Sequence, residues 1–205
     1  MSPTRPRLQK PKLVKSVSNS QGEILRWIIQ LHCPDGFDLD PTYSKGVFYK
    51  DVLEPRFKSD LAPQIDGVEQ ADCTDLPIQP NSLRSIVFDP PFMFGKHGQT
   101  ENNIMNKRFT MFDSFADLCV MYQDSLKEFH RILKRKGILV FKCQDYTDSK
   151  TTMTHCLVYQ WAELFGFYAK DLFILLANGG RIYNPSLRQK HARKFHSYLW
   201  VLEKK

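Results

Sequence analysis

Asp89-Pro90-Pro91-Phe92 closes a short apolar run, Ile86-Val87-Phe88. The run suits a buried strand. Proline cannot donate to a ladder, so the strand must stop at Asp89 and leave that carboxylate at its carboxyl end. The two prolines stiffen the turn and leave backbone carbonyls that no neighbouring strand claims. A carboxylate, a free carbonyl and the Phe92 ring, held together, accept both hydrogens of a planar amino group and stack on the ring that carries it. A nucleobase amine has that shape. The plainer alternative is a strand end at which Asp89 caps the segment that follows.

Such a site needs a sheet to hold it, and the rest of the chain patterns as one. Ser20-Gln21-Gly22-Glu23 has capping-box spacing, and Ile24, Leu25, Trp27, Ile28 and Leu31 follow at helical spacing. That predicts a helix to about His32, broken by Cys33-Pro34-Asp35-Gly36. Short strands are predicted over Phe37 to Asp40, near Arg56 to Leu61 with Asp60 close to its end, and near Val68 to Ala71, which Asp72 follows. Beyond Asp89, the polar stretch from Met93 to about Asp113 is longer than ordinary connections and reads as a lid or binding loop. Ser114 to Leu133 is an amphipathic helix with Leu118, Met121, Tyr122, Leu126 and Phe129 on one face. Lys134-Arg135-Lys136 suits its negative pole, and Gly137 ends it. Ile138 to Phe141 reads as a buried strand, Thr152 to Phe165 as a helix, and Asp171 to Leu176 and Ser197 to Leu202 as strands. This alternation means an α/β fold with a largely parallel sheet. Ligands of such sheets sit outside the carboxyl ends of the strands, so Asp40, Asp60, Asp72 and Asp89 converge on one crevice.

With 205 residues, the chain suits one domain over 19–205, preceded by a basic flexible arm over 1–18 and leaving no room for a separate recognition domain. No apolar run approaches the ~20 residues of a membrane span. Met1-Ser2-Pro3-Thr4-Arg5 lacks a signal peptide's apolar core, so the expectation is an intracellular, cytoplasmic protein. Five cysteines, odd in number and without a Cys-x-x-Cys pair, suggest neither a disulfide framework nor a zinc site; they read as reduced, mostly buried thiols, and no metal is expected. The net charge of +7 is uneven: residues 1–15 carry +5 and residues 181–205 carry +6, which leaves −4 between them. Basic ends on a mildly acidic body suggest a polyanionic partner.

Asp89-Pro90-Pro91-Phe92 resembles motif IV of the methyltransferases that methylate exocyclic amines of nucleobases from S-adenosylmethionine. Asp38 to Gly46 resembles their motif I cofactor loop, with Ser44 and Lys45 standing where the family usually has Gly and Ser. Ala71 to Pro77 resembles the motif III segment under the cofactor's adenine. Arg188 to Trp200 is similar to the terminal His-Glu-Tyr hairpin of the N6-adenine and N4-cytosine DNA methylases. The resemblance implies a Rossmann-like class I fold: a mostly parallel central sheet, an antiparallel C-terminal hairpin and helices on both faces. It implies Asp40, Pro41, Ser44 and Gly46 at the methionine end of the cofactor, Asp60 at the ribose hydroxyls, and Asp72 with Cys73 at the adenine.

The same resemblance gives Asp89 and the Pro90 carbonyl the amine, with Pro91 stiffening the turn and Phe92 stacked on a base flipped out of the duplex. Lys96, His97, Lys107 and Arg108 in the long loop, and Arg188, Lys190, Arg193 and Lys194 before the last strand, would meet DNA. A C5-cytosine methylase would need a Cys nucleophile, and no Pro-Cys dipeptide exists here. Asp at the head of motif IV leans toward adenine N6, with cytosine N4 second. The alternatives are an RNA base methyltransferase acting on adenine N6 or guanine N2, and a nucleic-acid-binding relative without catalysis.

Overall fold

The computed structural model describes residues 13–95, 112–147, 150–179 and 188–205. Helix α1, Gln21–His32, starts at Ser20, whose hydroxyl accepts from the Glu23 amide at 3.2 Å. The expected box is half closed, because the Glu23 carboxylate takes the Ser18 hydroxyl at 2.6 Å instead. Helix α2, Phe115–Ile132, carries a complete box between Ser114 and Asp117 and buries Leu118, Tyr122, Leu126 and Phe129. Helix α3 spans Thr154–Leu164.

The strands are β1 (Val17–Ser18), β2 (Leu39–Asp40), β3 (Phe57–Asp60), β4 (Glu69–Gln70), β5 (Leu83–Phe88), β6 (Leu133–Cys143), β9 (Phe167–Leu176) and β10 (His196–Lys204); β7 (Tyr146–Thr147) and β8 (Thr151–Thr152) form a separate ladder. The eight-stranded sheet runs β1-β9-β10-β6-β5-β2-β3-β4. All its neighbours are parallel except β10, which is antiparallel to β6 and β9. Helices cover both faces: α1 packs with Val87, Val140 and Phe173, while α2 and α3 pack with Phe88, Phe141 and Phe167. Val17–Ser18, which sequence alone grouped with the basic arm, pairs with Ile174–Leu175 at the sheet edge.

The end of α2 differs from expectation. Lys134, Arg135 and Lys136 are exposed residues of β6, and Gly137 lies in the same strand. The chain turns from helix to strand at Leu133 (φ −70, ψ 141) without a terminal glycine. Its last carbonyls are met from elsewhere. Lys204 Nζ donates to the His130 and Leu133 carbonyls at 2.6 and 2.8 Å, and the Asn81 and Ser82 amides donate to the Arg131 and Ile132 carbonyls. Residues 134–137 form a bulge instead, since two steps along β5 from Leu83 to Ser85 match five along β6 from Leu133 to Ile138.

Between β2 and β5, all of it described, the only helical turn is 3-10, at Val47–Tyr49. The α2 face of β2 to β4 therefore lacks a covering helix. It holds a cavity of about 430 Å³ bordered by Leu39, Phe57, Leu76, Ile78 and Leu83, and none of the four strand-end acids lines it.

Candidate active site

Asp40, Asp60, Asp72 and Asp89 stand at or just past the carboxyl ends of β2, β3, β4 and β5, which are adjacent strands. The row is as expected, but its members face different ways. Asp40 is 1% exposed and turns inward: Oδ2 accepts from the Tyr49 hydroxyl at 2.7 Å, and Oδ1 from the Thr42 amide and hydroxyl at 2.7 and 3.0 Å. Burial pushes its carboxyl up to about 7, partly offset by these hydrogen bonds and added to by the charge of Asp89. Asp60 accepts from the Ser44 and Ala62 amides at 2.9 Å each. Asp72 is exposed, and its Oδ1 accepts from the Thr74 amide and hydroxyl. Asp60 and Asp72 thus order their own loops while standing at the rim.

The loop after β2 reverses sharply through Ser44 (φ 52) and Gly46 (φ 69). Ser44 takes the left-handed turn that glycine favours, held there by Asp60. A side chain at Gly46 would strike the Tyr43 ring, which is buried and stacked on Tyr49 with centroids 5.7 Å apart. Pro41 is buried behind the loop.

Asp89 is tied to this loop and to α1. Its amide donates to Thr42 Oγ1 at 3.1 Å, and its Oδ2 accepts from Lys142 Nζ at 3.0 Å. Lys142, on β6, also donates to Gln21 Oε1 at 3.3 Å and lies over the Phe48 ring. The carboxylate is a quarter exposed, its ammonium partner half that. Pro90 is buried; Pro91 and Phe92 are half-buried. The Pro91 carbonyl is taken not by a strand but by the Tyr122 hydroxyl of α2, which donates to it at 2.8 Å. That bond fixes the turn from below. Phe94 packs against Tyr146 of β7 and Phe115 at the start of α2.

Cys73 rests its sulfur 3.3 Å from Ser125 Oγ on α2, and burial pushes its thiol up to about 11. Glu128 and Arg131 hold the following residues to α2 through the Leu76 amide and the Leu76 and Ile78 carbonyls. Cys143 is fully buried and its thiol is raised well above the ordinary range by burial, whereas Cys156 is exposed, against the expectation of mostly buried thiols. Lys96, His97, Lys107 and Arg108 lie outside the described residues. Arg188, Lys190 and Arg193 are exposed and Lys194 half-buried, all just before β10. Sequence reasoning missed Thr42, Tyr49, Tyr122, Gln21 and Lys142. Among these only Lys142 stands out, as a cation directly after the apolar run Ile138 to Phe141, but nothing local marks its partners.

No protein-family model matches this sequence, and neither does any curated protein. Solved structures do. MccD protein superposes with a TM-score of 0.52 at 14% identity, over 88% of this chain and 96% of that one. TrmN from Thermus thermophilus superposes with a TM-score of 0.51 at 15% identity, over 90% of this chain and 49% of that one. A candidate DNA modification methylase, also from Thermus thermophilus and crystallised with S-adenosyl-L-methionine, matches at 15% identity over 65% of this chain and 53% of its own, with a TM-score of 0.46. This chain spans about half the length of the latter two. The fold is the Rossmann-like class I methyltransferase fold; among the described residues β10, between β6 and β9, is the antiparallel strand of the main sheet.

Proposed function

We propose that this chain is an S-adenosylmethionine-dependent methyltransferase acting on the exocyclic amine of a nucleobase, adenine N6 in DNA. The observation that carries the reading is the seat of Asp89: a part-exposed carboxylate at the end of β5, beside the loop after β2 and in a row of strand-end acids. The chain's residues suit a cationic cofactor. Asp60 and Asp72 offer negative charge at the rim, and the Ser44–Gly46 turn lets backbone approach closely without a glycine at 44.

When bound, the cofactor supplies an electrophilic methyl group. Pro41, Ser44 and Gly46 would border its methionine end, with Asp40 acting through the loop it anchors; Asp60 would take the ribose hydroxyls, and Asp72, beside Cys73, the adenine. An aromatic amine is a poor nucleophile because its lone pair is delocalised into the ring. Asp89 and the Pro90 carbonyl would hold its two hydrogens and turn the lone pair outward, while Phe92 stacks on the base. Lys142 occupies Asp89 Oδ2, which leaves Oδ1 for the amine. Tyr122, through the Pro91 carbonyl, keeps the turn rigid. Lys96, His97, Lys107 and Arg108 would hold the flipped strand and Arg188, Lys190, Arg193 and Lys194 the phosphates.

Mass spectrometry of nucleosides from DNA and RNA incubated with protein and S-adenosylmethionine tests this. N6-methyladenine from DNA is expected, and Asp89→Ala should lower it at least ~100-fold, the scale of one positioned group, while calorimetric cofactor affinity stays within a few fold. Methylation confined to RNA would overturn the DNA assignment. Near-normal methylation by Asp89→Ala would overturn the role of Asp89.

A further inference from the structure

A second cluster of titratable side chains stands where β6 ends and α3 begins. Asp145, its side chain 1% exposed, accepts from the His155 amide at 3.2 Å and pairs with His155 Nδ1 at 2.7 Å. A carboxylate at Nδ1 fixes the ring proton there, so Nε2 keeps its lone pair. Cys156 Sγ lies 3.4 Å from that Nε2. Tyr198 of β10 stacks on the imidazole, centroids 4.0 Å apart and planes at 16°, with its hydroxyl 3.4 Å from Asp145 Oδ2. His196 Nε2 meets the same hydroxyl at 2.9 Å, and Trp200 Nε1 donates to the His155 carbonyl at 3.0 Å. The ring is thus fixed at one nitrogen, on one face and at its backbone. Its other nitrogen addresses an exposed thiol in the first turn of α3, where the helix dipole favours negative charge.

We propose that Cys156, His155 and Asp145 form an activated-thiol site that exchanges with low-molecular-weight disulfides. Nucleophile, base and orienting acid stand in the order thiol activation requires. His155 Nε2 accepts the Cys156 proton, and the thiolate attacks one sulfur of the disulfide. A new S–S bond forms at Cys156 as the old one breaks, and the departing thiolate leaves with the electron pair and takes the proton back from His155. Acyl transfer would also need donors aimed at an oxyanion. Exchange needs only a thiol, a proton acceptor beside it and access, all of which the cluster offers. Metal capture is a poorer fit: among the described residues no group of three or more His, Cys, Asp or Glu side chains could hold an ion. Because β10 runs antiparallel, its start lies at the sheet edge that carries Asp89, so an adduct on Cys156 would sit along that rim.

The test is reaction of the full chain with oxidised glutathione, followed by intact mass and peptide mapping, on the parent protein and on His155→Gln. The first adduct is expected on Cys156. At pH 7 His155→Gln should slow it about tenfold, through loss of the positioned proton acceptor, and at pH 9.5 the two rates should converge as hydroxide replaces the imidazole. Equal rates at pH 7, or a first adduct on another cysteine, overturn the proposal. Should His155→Gln fail to melt cooperatively, the parent is compared with itself in denaturant. Cys156 must react faster at pH 7 in the folded chain than in the unfolded one; a folded chain no faster overturns the proposal as well.

Discussion

At the residue scale, Asp40 couples the site to folding. Its carboxyl is pushed up to about 7, chiefly by burial, whereas an unfolded chain would hold it near its ordinary value of 3.8. Between those values the native state binds more protons than the unfolded state, so stability falls as pH rises through the window. The penalty is complete above about 7 and on the order of 4 kcal/mol. Asp40→Asn has no such titration. Urea unfolding at pH 4.5, 6 and 8 should show a shallower decline for the variant than for the parent, whatever its absolute stability; parallel declines would mean that Asp40 stays charged when buried. The catalytic candidate was legible because two prolines can only follow a strand's end, and a carboxylate placed there faces solvent. Asp40 was found for its position but not for its orientation, since nothing local marks Tyr49 as its partner nine residues on. Lys142 and Gln21 were out of reach for the same reason: Lys142 meets Asp89 across 53 residues and Gln21 across 121.

At the element scale, apolar periodicity found α1, α2 and α3 and most strands of the sheet, because each buries one face against a common core. It misread the junction after α2. Lys-Arg-Lys-Gly has the composition of a helix end, yet Lys204 takes the terminal carbonyls from the far end of the chain, and a strand begins at once. Gly137 does different work there. A Cβ at this position would lie 2.8 Å from the Lys134 carbonyl and 3.3 Å from that of Arg84, both backbone atoms that cannot swing aside. Gly137 is not among the positive-φ residues, so the cost of Gly137→Ala is one of space, not of backbone handedness. The expected loss is about 1–3 kcal/mol, the usual scale of overpacking. A variant as stable as the parent by urea unfolding would show that the bulge yields freely.

At the scale of the whole molecule, strand direction and register place the basic segment before β10 on the Asp89 side of the sheet. β10 is antiparallel to β6 and pairs Tyr198, near its start, with Cys143, so it begins at the end of the sheet that carries Asp89; β1 pairs Val17–Ser18 with Ile174–Leu175, near the carboxyl end of β9, and so reaches the same end at the outer edge. Charge composition could not place this segment, since both ends of the chain are similarly basic and only the pairing of β10 locates it. Arg188, Lys190, Arg193 and Lys194 therefore lead into the crevice side, and Lys204, also counted in the basic end, is consumed as a helix cap. If the 188–194 cluster meets phosphates, neutralising Arg193 and Lys194 together should weaken DNA binding for all sequences alike. The slope of log affinity against log salt should fall by about two units, because each phosphate contact releases roughly one counterion. Cofactor affinity, which the proposed site assigns to the other strand ends, should barely change. An unchanged slope would remove this segment from the DNA interface and shift the search to the basic residues between Met93 and Asp113.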